Sequence, residues 1–327
     1  MGVTEQRYTY GENMASPKQN LLRVIGKQIQ AIISAHPINS PEQKQSAAAR
    51  VMESYDSLPE IYQEFFRSHH SSGQAFPYTV LTPAYETSDG RITEKLIYVI
   101  DHTLYVLEKN EATVVKVCYP IDEINYVEVT HTPSDLLIKI DGATNLGIAS
   151  SAMLGCSHTT DPIFTPLFQR IRLRIASLNE KAPSRHLERL DRWNDLQTRV
   201  MDMARHCLLP GETVVHAILQ PEIPGGIFSN PESPTHTCIL TDKELVLIRE
   251  DLSRRGTGDT ICNFIPLNKI HLFSLSRKNE NLRVVSIQLK NHMCFECLFD
   301  ASLENEVDQF LTRTRELMPK ERAYRRD

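Results

Sequence analysis

The apolar positions of this chain change period along its length, first helical, then strand-like, then both again. From Pro17 onward, Leu21, Leu22, Ile25, Ile29, Ile32 and Ile33 recur at spacings of three and four, which predicts an amphipathic helix ending near His36-Pro37. Ser40-Pro41-Glu42-Gln43 restarts a helix, since Ser40 can cap, Pro41 suits the first helical position and Gln43 completes a capping box. Ser57-Leu58-Pro59-Glu60 repeats that signature, with Ile61, Phe65 and Phe66 as the apolar stripe, up to a loop at His69-His70-Ser71-Ser72-Gly73.

The period then shortens to that of strands. Runs at 78–81, 96–100, 104–107, 114–119, 124–129, 136–140 and 146–149 are each bounded by Asp, Asn, Gly, Pro or Lys, the punctuation of hairpins. Asp161-Pro162 caps a helix with Phe164, Leu167, Phe168, Ile171 and Ile175 on one face. Lys181-Ala182-Pro183-Ser184 reads as a linker, and Leu187, Leu190, Trp193, Leu196, Val200 and Met203 mark a further helix up to about Cys207. Strand runs resume at 213–219, 237–240, 244–249, 261–265, 270–275, 282–289 and 292–299, and Asp300 can cap a final helix carrying Leu303, Val307, Phe310, Leu311 and Leu317.

The second series answers the first. Leu81-Thr82-Pro83-Ala84 matches Leu219-Gln220-Pro221-Glu222, and Ile100 to Leu107 matches Thr241 to Ile248. Tyr119-Pro120-Ile121-Asp122-Glu123-Ile124 matches Ile265-Pro266-Leu267-Asn268-Lys269-Ile270, and Ile138-Lys139-Ile140 matches Ile287-Gln288-Leu289. The offset between matches grows steadily, as insertions in hairpin loops would make it do. A duplicated unit is therefore expected, each copy preceded by a helix.

The residues that carry this repeat resemble a known family. Thr237 to Ile248, followed by Phe264-Ile265-Pro266-Leu267-Asn268-Lys269-Ile270, is similar to the GRAM and bacterial PH-domain pattern, and Leu209-Pro210-Gly211-Glu212 is similar to its opening segment. The first copy keeps Asp101 but has Ile100 where the pattern has Thr. The resemblance spans roughly 76–178 and 210–318 and implies an α+β fold: two tandem PH-like antiparallel sandwich or barrel modules, each closed by a C-terminal helix, behind a helical leader. The expected organisation is a disordered N-terminus (1–16), the leader (17–72), module 1 (76–180), a linker and joining helix (181–209), module 2 (210–318) and a charged tail (319–327).

Charge and composition narrow the function classes. A net charge of -5 disfavours a protein that tracks nucleic-acid phosphates. Met1 to Arg7 carries no apolar run of the secretory type, and Gln6 stands where N-myristoylation wants Ser or Thr, so neither processing is expected. Seven scattered cysteines fit free thiols in a reducing compartment, so a cytoplasmic location is expected.

Candidate chemistry is sparse. Cys294-Phe295-Glu296-Cys297 has the C-x-x-C spacing, but on a strand such positions point to opposite faces. Cys297 is expected inward with Met293, Phe295 and Phe299, and Cys294 outward, as structural thiols. Gly256-Thr257-Gly258 joins two strands and lacks the following helix of a phosphate loop. Ser150, Ser151 and Ser157 near His158 read as a polar loop, and no catalytic set, metal set or cofactor is expected. The first hairpin loop holds Asp89, Arg91 and Lys95 in the first copy (86–95) and no Lys or Arg in the second (221–234); Arg254-Arg255 reads as a solvated loop and is the expected contact if the chain binds an anion. The expected role is a non-enzymatic adaptor for a protein or peptide partner, with phospholipid-headgroup binding, an unrecognised enzyme site and self-association as alternatives.

Overall fold

The computed structural model describes residues 48–67, 75–87, 90–110, 113–157, 161–177, 199–209, 211–225, 231–251 and 259–318. The expected N-terminal helices up to residue 47, His69-His70, Trp193, the Gly256-Thr257-Gly258 loop, Arg254-Arg255 and the tail from 319 lie outside them.

The chain runs β1 (Arg50–Met52), α1 (Glu60–Arg67), β2 (Thr79–Thr82), β3 (Tyr85–Thr87), β4 (Gly90–Ile92), β5 (Lys95–Ile100), β6 (Thr103–Asn110), β7 (Thr113–Pro120), β8 (Ile124–His131), β9 (Asp135–Ala143), β10 (Ala149–Ser157) and α2 (Asp161–Ser177). It continues with α3 (Arg199–His206), β11 (Val214–Gln220), β12 (His236–Thr241), β13 (Glu244–Glu250), β14 (Thr260–Pro266), β15 (Ile270–Arg277), β16 (Leu282–Leu289), β17 (Cys294–Asp300) and α4 (Glu304–Leu317). The described architecture is α+β, built mainly of antiparallel sheets with a few helices and a C-terminal helix.

The strands form sheets ordered β1-β2-β5-β6-β7, β10-β9-β8-β14-β13-β12-β11 and β15-β16-β17, with a small β3-β4 hairpin. Val127 to His131 of β8 pair antiparallel with Thr260 to Phe264 of β14, so one sheet runs across both halves of the chain. Sequence patterning did not foresee this join, because edge pairing between distant strands leaves no mark in local periodicity.

Burial explains the strand sequences. Cys238, Leu240, Leu245 and Leu247 face one core with Phe273, Ile287, Phe299 and Phe310. Ile239, Val246 and Ile248 face another with Ile171 of α2 and Val200, Ala204 and Cys207 around α3. Strands covered on both faces read as continuous apolar runs, as 238–240 and 245–248 do, whereas β16 alternates because one face is wet. The first half repeats the arrangement. Ile97, Val99, Leu104 and Val106 face the shared core, while Leu96, Tyr98 and Leu107 face Tyr62 and Phe66 of α1.

Local details recur as well. Pro120 and Pro266 each end a strand and begin a one-turn 3-10 helix, Ile121–Glu123 and Leu267–Lys269. Each turn is followed by a bulge, between Ile124 and Tyr126 in β8 and between Ile270 and Leu272 in β15. Proline is tolerated there because the ladder ends at that residue.

Three local expectations differ from the structure. Arg50–Met52, inside the stretch expected to be helical, is a strand paired with Thr79 to Leu81, its β-branched Val51 placed on a sheet edge. In α1 the deeply buried stripe is Tyr62 and Phe66, one helical turn apart, while Ile61 and Phe65 are half-buried. Ser150, Ser151 and Ser157 lie on β10, which pairs along its length with β9, and Ser150 Oγ accepts the Tyr119 hydroxyl at 3.0 Å. Small residues hid that strand, since Ala-Ser-Ser carries little of the apolar alternation by which strands are read.

Candidate functional site

A cavity of about 310 Å³ lies between the sheets of the second half. Its wall on one side comes from β12, β13 and β14, through His236, Leu247 and Asn263, and on the other from β16 and β17, through Val284, Phe295, Cys297 and Leu298. Leu247 and Asn263 are directly paired in the ladder, so Asn263 stands on the inward face, where the core rows are otherwise apolar. At the rim, Lys278 is held by Glu232 at 3.3 Å, and Arg249 and Glu296 are exposed.

His236 is only 5% exposed, its ring set edge-on against Phe299 at 5.0 Å. Its Nδ1 lies 3.0 Å from the Pro234 carbonyl and 3.3 Å from Ser233 Oγ. A carbonyl can only accept, so Nδ1 carries the proton and donates it. Burial, aided by nearby Arg249, holds the ring below its ordinary pKa, hence neutral, and Nε2 is then a bare acceptor. Nε2 has no hydrogen-bond partner, and neither has Oδ1 of Asn263, a residue only 1% exposed.

The thiol of Cys238, on β12, donates to Cys297 Sγ, on β17, at 3.7 Å. The contact raises the Cys238 pKa well above the ordinary thiol value and lowers that of Cys297. Cys297 turns inward and Cys294 is exposed, as strand alternation requires. Met293, expected inward, is exposed, because it belongs to the turn before β17 and not to the strand. The partnership with Cys238 has no sequence signal, since 59 residues separate the two thiols. Asn263 did have one: a lone amide inside Ile261-Cys262-Asn263-Phe264-Ile265, where only apolar residues would otherwise be expected.

A second polar cluster lies in the other core. The Arg172 guanidinium of α2 is buried, donates through Nε to Glu244 Oε1 at 2.9 Å and through a terminal nitrogen to the same oxygen, and donates to the Cys207 carbonyl at 2.9 Å. Its face sits 4.0 Å from the Phe264 ring centroid, and Glu212 Oε2 lies 3.7 Å away. Glu212 also accepts from Leu209 N at 2.7 Å and from the Thr241 hydroxyl at 2.5 Å. Burial and the Glu244 charge nevertheless push its pKa up to about 7, against the pull of these donors and of Arg172. Thr241 and Asp242 complete the clamp, Asp242 Oδ1 accepting from Thr213 N at 2.8 Å. Leu209 and Glu212 thus meet the Thr241-Asp242-Lys243-Glu244 motif in space, and Arg172 ties a helix of the first half to that hairpin of the second. Every charged group here is spent on a partner within the fold, which marks the cluster as structural.

Among the described residues no group of three or more His, Cys, Asp or Glu is arranged to hold a metal ion, and no helix is long and apolar enough to cross a membrane. No protein-family model matches the chain, and no curated protein matches its sequence.

Proposed function

We propose that this chain is a non-enzymatic binding module made from a duplicated PH-like unit, and that its second unit takes part of a protein or peptide partner into the cavity between its sheets. The duplication reading is supported by a recurrent order, interrupted in the first half by the β3-β4 hairpin: four strands, a proline-led 3-10 turn, a bulged strand, two more strands and a helix. The observation that carries the binding reading is the cavity itself, apolar walls around two buried polar atoms without partners. Native interiors seldom leave such atoms unpaired, so each instance asks for an explanation, and a site awaiting its ligand is one. A cavity of this volume is at the lower end of those that hold small ligands, and suits one side chain and its neighbours better than a large cofactor.

Selection of displayed peptides on the full chain tests this. The reading expects a peptide whose binding is lost in Cys297→Trp, which fills the cavity from β17. Failure to select any peptide, or binding indifferent to that substitution, overturns it.

A second reading, peripheral contact with a phospholipid surface, is favoured by Leu146 and Ile148, which are 77% and 60% exposed in the turn between β9 and β10. Large apolar side chains at a loop tip are a recognised mark of an interaction surface. Sedimentation with anionic vesicles, compared between the wild type and a Leu146→Ser, Ile148→Ser variant, decides it: vesicle binding lost in the variant supports this reading, and no binding removes it.

A further inference from the structure

Resting on the duplication reading, we propose that copies of this chain join head to tail, the edge of β15 in one copy adding to the edge of β7 in the next, in the register by which β8 and β14 join the two halves. That internal join is heterologous: the strand after the 3-10 turn of the first unit, β8, pairs with the strand before that turn in the second, β14. Matching Pro120 to Pro266 and Ile124 to Ile270 makes β7 the counterpart of β14 and β15 the counterpart of β8. The join uses one edge of each kind, and among the described residues the other two, β7 and β15, each end a sheet. A heterologous contact leaves such a complementary pair at its two ends, and a further copy of the same molecule fits both.

Burial marks the same two edges. Tyr126, just beyond the bulge of β8, is 1% exposed and packs into the core of the second unit, with Phe295 edge-on at 5.2 Å. Its counterpart beyond the bulge of β15 is Leu272, 51% exposed. On β7, Val115 is 45% exposed, where its counterpart Ile261 pairs with Thr130. Edge strands that carry exposed apolar side chains are templates for another strand. The internal register, carried over, sets Ser276 against Val115 of the second copy and Leu275 against its Lys116, whose methylene stem can lie along the leucine. Arg277 falls opposite Val114, so no like charges face each other directly. The stretch stops at Val117, since the Cys118 carbonyl already accepts from Asn145 N at 3.0 Å.

Light scattering of the full chain over a concentration series tests this. With so short an interface, species heavier than the monomer are expected from about 0.1 mM chain upward, below the roughly millimolar effective concentration that a covalent link gives the internal join. Val115→Lys blocks β7, and Leu272→Lys with Ser276→Lys blocks β15; all three positions are exposed, so both variants are expected to keep the wild-type melting transition. Each variant alone is expected to be monomeric. Mixed in equal amounts, the two are expected to form a dimer and nothing larger, since only one compatible pair of edges survives between them. Association that persists in either variant, or variants that do not restore each other, would overturn the proposal, because pairing of identical edges or contact through another surface behaves in that way.

Cross-linking reads the register without relying on those variants. In a Cys294→Ser background, Val115→Cys with Ser276→Cys is expected to give a disulfide-linked ladder under copper phenanthroline and air, and Val115→Cys with Leu272→Cys to lose it. No ladder from the first pair, or equal ladders from both, overturns the proposed join. A wild type that stays monomeric to about 1 mM also overturns it. That result leaves the duplication standing, which falls separately if the two units fail to superpose in a crystal structure.

Discussion

Glu212 shows how one buried side chain sets a pH dependence. Its folded-state pKa is about 7 against an ordinary value of 4.5, so the folded protein holds this proton more tightly than the unfolded chain does. The resulting stabilisation is fully present below about pH 4.5 and is lost as pH rises through about 7. In Glu212→Gln the group no longer titrates. The stability of wild type minus that of the variant, from urea melts between pH 4.5 and 8, is expected to fall over that window and level off above it; a difference that rises with pH would contradict the assignment. Arg172 is the counter-charge to both Glu212 and Glu244. Arg172→Met leaves two buried carboxylates without it and is expected to cost about 3–5 kcal/mol at pH 7. The deficit should shrink toward pH 5, as Glu212 takes up its proton.

Among elements, the strands that pass each other most closely constrain the sequence most. Gly142 of β9 faces the bulge at Ile124, and a Cβ there would lie 2.7 Å from the Glu123 carbonyl oxygen. Gly142→Ala must therefore push backbone apart, and a loss of about 1–3 kcal/mol by chemical denaturation is expected. The β5–β6 turn is different: Asp101 and His102 both have positive φ, at 45° and 67°, in a two-residue hairpin loop. Asn-Gly fits that conformation better, so the double replacement Asp101→Asn, His102→Gly should stabilise by about 1 kcal/mol.

Much of the element order was legible because period and punctuation are local properties. Pro120 and Pro266 marked strand ends, and Asp300 does cap a helical turn, accepting from Ser302 N at 2.8 Å. What was not legible depended on partners far along the chain. The β10 strand lacks apolar alternation, and β1 is too short to show any period. The cavity is legible only in part: Asn263 breaks an apolar run visibly, whereas His236 and the Cys238–Cys297 contact require two sheets to be stacked first.

At the scale of the whole molecule, the β8–β14 pairing makes the halves interdependent. Ile239, Val246 and Ile248 of the second half share a core with Ile171, Val127 and Ile140 of the first. Residues 211–318 expressed alone would expose that apolar face and the edge of β14 to water, conditions that favour aggregation. The full chain is expected to unfold in one calorimetric transition for both halves, and the 211–318 fragment to lack a cooperative one. Two separated transitions, or a fragment as stable as the whole, would show that the sheet joins the halves without coupling them.

The most direct test of the binding site is an amide chemical-shift titration of the isotope-labelled full chain with the selected peptide. The account predicts shifts concentrated at His236, Leu247, Asn263, Val284 and Phe295 to Leu298, the cavity wall contributed by both sheets. Shifts confined to the β9–β10 turn around Leu146 and Ile148, with the cavity amides unmoved, would contradict it.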